Sequence, residues 1–176
     1  MGALNRSRCA AVGVSLIAVL FSGCAVQATE AEGNHEMEHD RARAEVDTLY
    51  EQTLAVVGDG WNPASSAEWR GCTRLSLADE QESWARFTQR FGELDQTPHA
   101  IAVQIAQLWN RLGYPADIVS DDRMTPPRKV VSYPAYLTGT TEEGFGVVFT
   151  IGDGYADFTG YSRCVPVDAD RDDLSS

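Results

Sequence analysis

At 176 residues and 19.2 kDa the chain has room for one domain and not comfortably for two. Hydrophobic residues make up 43%, charged residues 23% and aromatics 9%, which excludes full disorder, a collagen-like fibre and a polytopic membrane protein. Acidic residues outnumber basic ones by 26 to 14, a net charge of -12, so no nucleic-acid partner is expected: affinity for phosphate comes from clustered Lys and Arg.

The chain opens with Arg6 and Arg8, an apolar run from Ala10 to Phe21, and then Ser22-Gly23-Cys24. A positive start, an apolar stretch too short to span a bilayer and small residues before a cut predict a signal peptide over residues 1–23. The stretch Leu20-Phe21-Ser22-Gly23-Cys24 resembles a bacterial lipobox, with Cys24 as the residue that receives the lipid. Cysteine arithmetic agrees. Cys9 leaves with the signal, and lipidation of Cys24 leaves Cys72 and Cys164, which are expected to form a disulfide outside the cytoplasm. Without Arg6 and Arg8 the mature chain carries 12 basic and 26 acidic residues, a net of -14. Anionic headgroups repel such a surface, so a lipid on Cys24 must do the anchoring.

Residues 24–35 are small, polar and acidic, and are expected to form a tether ahead of a single domain over 36–167. A helix is predicted from about Glu36 to Val57, where Val46, Leu49, Tyr50, Leu54 and Val57 recur on one face, with Gly58 ending it. Alternation of Trp69, Thr73, Leu75 and Leu77 predicts a strand over 68–77. Trp84, Phe87 and Phe91 suit a short amphipathic helix over 78–91. The clearest element runs from Thr97, a good N-cap before Pro98, to Leu112, followed by Gly113; Ile101, Ile105, Leu108, Trp109 and Leu112 form its stripe. Strands follow at 117–120, at 129–137 (interrupted by Pro134, so expected at an edge or bulge), at 145–151 and, after the Gly152-Asp153-Gly154 turn, at 155–165. Residues 168–176 read as a solvated acidic tail. Runs of helix and of strand without βαβ alternation predict an α+β fold: an antiparallel sheet of about four or five strands, two main helices on one face, and one disulfide.

Arg70-Gly71-Cys72, the capped helix Pro98–Leu112 with Gly113, and Gly160-Tyr161-Ser162-Arg163-Cys164 together resemble small actinobacterial lipoproteins of the LppA/LppV type. The resemblance covers about residues 68–166. It implies an exported, lipid-anchored α+β domain with one disulfide and no catalytic residues.

One catalytic pattern stands out. His35-Glu36-Met37-Glu38-His39 matches H-E-x-x-H, in which two His one helical turn apart bind zinc and the Glu acts as general base. Its flanks are charged, no apolar stripe is expected before Val46, and His99 is the only other His. A solvated charged segment is therefore the expectation. Weak metal binding by His35 and His39 and a zinc hydrolase remain the alternatives. The aromatic residues Trp61, Trp69, Trp84, Trp109, Tyr133, Tyr136, Tyr155 and Tyr161 fill a core or present a binding face. The expected function is that of a lipid-anchored envelope lipoprotein, a non-catalytic binding or interaction module without a cofactor. Its partners are the membrane, through Cys24, and an envelope protein or small ligand.

Overall fold

The computed structural model describes residues 27–63, 65–72, 80–135 and 139–167, with side chains from residue 36 onward. The expected signal peptide, Cys24, Tyr136 and the acidic tail lie outside the described residues. The elements in chain order are α1 (Gln27–Val57), β1 (Ser66–Gly71), β2 (Gln81–Phe91), α2 (Pro98–Arg111), β3 (Asp117–Asp121), β4 (Arg128–Tyr133), β5 (Gly146–Gly152), β6 (Tyr155–Tyr161) and β7 (Val165–Pro166).

The fold is α+β, as the pattern of elements predicts. All strand pairings are antiparallel, in the order β1-β2-β6-β5-β4-β3, with β7 pairing the start of β2. The sheet is larger than the four or five strands expected. The extra strand comes mainly from residues 81–91, which form β2 and not a helix. Trp84 faces the helices, but Phe87 and Phe91 point the opposite way and are exposed. Their helix-like spacing is therefore incidental. β4 lies inside the sheet, between β3 and β5, and ends before Pro134. The proline thus removes no ladder hydrogen bond, which is why an interior strand tolerates it there.

Helix α1 starts at Gln27, well ahead of the expected Glu36, so part of the expected tether is helical. Its buried face comprises His39, Ala42, Val46, Leu49, Tyr50, Thr53 and Val57, alternate three- and four-residue steps that keep one stripe on the sheet. The stripe begins at His39, not at Val46. Helix α2 matches expectation closely. Thr97 Oγ1 accepts from Ala100 N–H at 3.3 Å, Pro98 occupies the first turn, and the chain leaves through Gly113 at φ 93°.

Both helices cover one face. Ile101, Ile105 and Trp109 of α2 and Val46 and Leu49 of α1 join Val131, Val147, Phe149, Ile151 and Phe158 from the sheet in a single core. Trp109 has no solvent exposure, and its indole Nε1 donates to Thr53 Oγ1 at 2.9 Å, tying α2 to α1. Glycine is required where α1 crosses β6: a Cβ on Gly160 would meet Val46 Cγ1 at 2.9 Å. Helix α1 also crosses β2 over polar ground. Asp47 accepts from Trp84 Nε1 at 2.9 Å and pairs with Arg86 at 2.9 Å, and the Arg86 guanidinium lies 4.0 Å from the Tyr50 ring centroid.

Candidate binding clefts at the disulfide end

Cys72 and Cys164 form the expected disulfide, with Cα atoms 6.2 Å apart. Cys72 follows β1 and Cys164 precedes β7, and these strands flank β2. The bridge therefore fastens the end of β1 to the start of β7 across the beginning of β2. The segment 139–145 between β4 and β5 packs against it. Cys164 N–H donates to Glu143 O at 2.8 Å, and Thr141 N–H to Phe145 O at 2.7 Å. Gly144, at φ 95°, lies so close that a Cβ there would collide with Cys164 Sγ.

This segment separates two clefts. One, of about 450 Å³, lies beside the disulfide and is lined by Arg70, Ser83, Thr140 and Tyr161. Arg70 donates through Nε to Glu68 at 2.7 Å, so its charge is already matched. The other, of about 320 Å³, opens between α1 and the segment, with Tyr114, Tyr133 and Phe145 as one wall and Glu45, Thr141, Glu142 and Glu143 as the rest. The three rings touch one another. Tyr114 stacks on Phe145 with centroids 4.9 Å apart, and Tyr133 meets Tyr114 at 5.7 Å and Phe145 at 6.0 Å.

Glu45 of α1 anchors the second cleft. Its carboxylate accepts from Arg163 Nε and Nη2 at 3.1 Å each, a bidentate clamp, and from Tyr114 Oη at 3.2 Å. Burial, with the Glu45 charge beside it, pushes the Tyr114 phenol up to about 12, so it stays protonated and donating. Glu142 and Glu143 are exposed at the mouth. Thr141 Oγ1 is screened from solvent and has no hydrogen-bond partner.

The H-E-x-x-H residues take a different part. His39 is buried, not solvated as expected: its ring sits edge-on to Trp69 at 4.9 Å, and Nε2–H donates to Glu82 Oε1 at 3.1 Å. Glu36 is exposed, and the side chain of His35 lies outside the described ones. Among the described residues, no three His, Cys, Asp or Glu side chains converge on a point that could hold a metal ion. His39 thus has a packing role, locking the N-terminal half of α1 to β1 and β2.

The aromatic residues divide between the two readings. Trp84 and Trp109 are core, and Trp61 and Trp69 pack partly buried against it. Tyr133 and Tyr161 line clefts. Sequence reasoning missed Glu45, Tyr114 and Phe145, which come from three distant segments; no local pattern joins them. No family model, curated protein or solved structure matches the chain.

Proposed function

We propose that this chain is a lipid-anchored, extracytoplasmic binding module of a bacterial cell envelope, non-catalytic, that receives its ligand at the disulfide end. The observation that supports it best is the Cys72–Cys164 bridge. With Cys9 in the expected signal peptide, the bridge leaves Cys24, inside the lipobox-like stretch, as the single cysteine available for a lipid. A disulfide-closed domain with clefts beside it, and an acidic surface that needs a covalent anchor, suit the same reading. So does the resemblance of Arg70-Gly71-Cys72 and Gly160-Tyr161-Ser162-Arg163-Cys164 to small actinobacterial lipoproteins of the LppA/LppV type.

Mass spectrometry of the N-terminal peptide from membrane-purified protein tests this. Cys24 is expected at the N-terminus carrying a diacylglycerol, and Cys24→Ala is expected to leave the membrane fraction. An unmodified N-terminus, or a Cys24→Ala variant that stays with the membrane, refutes the anchoring.

A further inference from the structure

We propose that the cleft between α1 and the β4–β5 segment binds a primary alkylammonium group, with Tyr114, Tyr133 and Phe145 as its apolar wall and Glu142 and Glu143 as its counter-charges. The proposal rests on the binding-module reading above and names the ligand chemistry of one of its clefts.

Charge selects the sign. Three carboxylates line the cleft, and the guanidinium of Arg163 is committed to one of them, Glu45. An anion would meet net repulsion, amplified by the chain's net charge of -12. Shape and surface select an organic cation. The volume of about 320 Å³ is at the lower end for small-ligand sites. The half-buried rings of Tyr114 and Tyr133, backed by the buried Phe145, offer aromatic surface that attracts an ammonium group and packs an alkyl stem. A bare divalent ion would gain nothing from that wall, since it takes oxygen ligands. The carboxylates select the head group. Glu142 and Glu143 offer exposed acceptors at the mouth, to which a primary ammonium N–H donates where a quaternary nitrogen has no proton to give.

The probe is n-pentylammonium, titrated into the mature protein in detergent at pH 7 and constant ionic strength, with pentan-1-ol as its neutral counterpart. Amide chemical shifts of residues 141–146 report the site. The amine is expected to move them and to bind about tenfold more tightly than the alcohol, and tetramethylammonium is expected to bind more weakly than the amine. Glu142→Gln combined with Glu143→Gln changes only exposed positions and is expected to weaken the amine about fivefold while leaving the alcohol unchanged. Tyr133→Leu is expected to weaken both. The proposal is overturned if the alcohol binds as well as the amine, if the double Gln variant retains full affinity, or if residues 141–146 do not respond. Amine-induced shifts confined to another region would reject this cleft and leave the binding-module reading standing. An unlipidated Cys24 would reject the anchoring while leaving the titration interpretable.

Discussion

Replacing Asp157 by Asn should stabilise the protein at neutral pH. Asp157 stands in the middle of β6 on the face that the helices leave uncovered, opposite Gln89 of β2 and Thr150 of β5. Burial pushes its carboxyl up to about 6, only partly offset by a hydrogen bond from Thr150 and the attraction of Arg128. The unfolded value is 3.8. A raised folded value means that the folded state holds the proton more tightly than the unfolded state between about pH 4 and 6. Stability from this group is therefore greatest below pH 4, falls as pH rises through that window, and is fully lost above it. The gap of about two units corresponds to about 3 kcal/mol. Asn keeps an oxygen for Thr150 and cannot ionise. Urea unfolding of a soluble form lacking the first 24 residues, run from about pH 3.5 to 7.5, measures the difference between variant and parent; all other carboxylates cancel in it. Near pH 3.5 the two should agree within about 0.5 kcal/mol, and at pH 7 the variant should lead by about 2–3 kcal/mol. A difference that stays flat with pH, or a variant less stable at pH 7, would refute the assignment of burial as the dominant influence on Asp157.

The disulfide closes a loop with a sequence separation of 92, for which chain entropy gives a ceiling of about 4.5 kcal/mol. Cys72→Ser should cost about 2–4 kcal/mol in urea unfolding, and the Cys72→Ser/Cys164→Ser pair little more; a free thiol in the unfolded, non-reduced parent would deny the bridge. Thr53→Val leaves Trp109 Nε1 buried with no acceptor and should cost about 1–3 kcal/mol, measured by the same unfolding; a neutral result would show that the Thr53–Trp109 bond does not tie the helices together.

What the sequence makes legible depends on how local the cause is. Helix α2 is legible because its cap, its proline and its stripe all lie within sixteen consecutive residues. The disulfide follows from counting. β2 is not legible, because its alternating inward set is Trp84, Arg86 and Thr88, two of them polar. Arg86 is tolerated there because Asp47 of α1 pairs with it, a partner 39 positions away in the chain. His39 is obscured for a related reason. Its spacing to Ala42 and Val46 continues the helical stripe, but a His flanked by acids reads as solvated until Trp69 and Glu82 arrive from the sheet. The aromatic–acidic cleft lies furthest from the local signal. Glu45, Tyr114, Tyr133 and Phe145 come together only through the strand order, and among them only Tyr133 stands out as a candidate from composition.

The strand order also divides the molecule along a seam with a kinetic meaning. β3, β4, β5 and β6 form a meander in which each strand pairs with the next in sequence, and β1 and β2 form their own hairpin. These pairings close short loops and can form early. The β2–β6 seam joins Ala85 to Tyr161 and Phe91 to Tyr155, so it must close across the whole of α2 and the meander. Among the pairings of β1 to β6 it spans the longest stretch of chain, so its closure should limit the folding rate. Cys72 and Cys164 sit at one end of the same seam. Once oxidised, they hold its two sides together in the unfolded chain, so refolding with the bridge intact should be faster than refolding of the reduced protein. Under the export proposed above, that gain would come only once the chain meets oxidant.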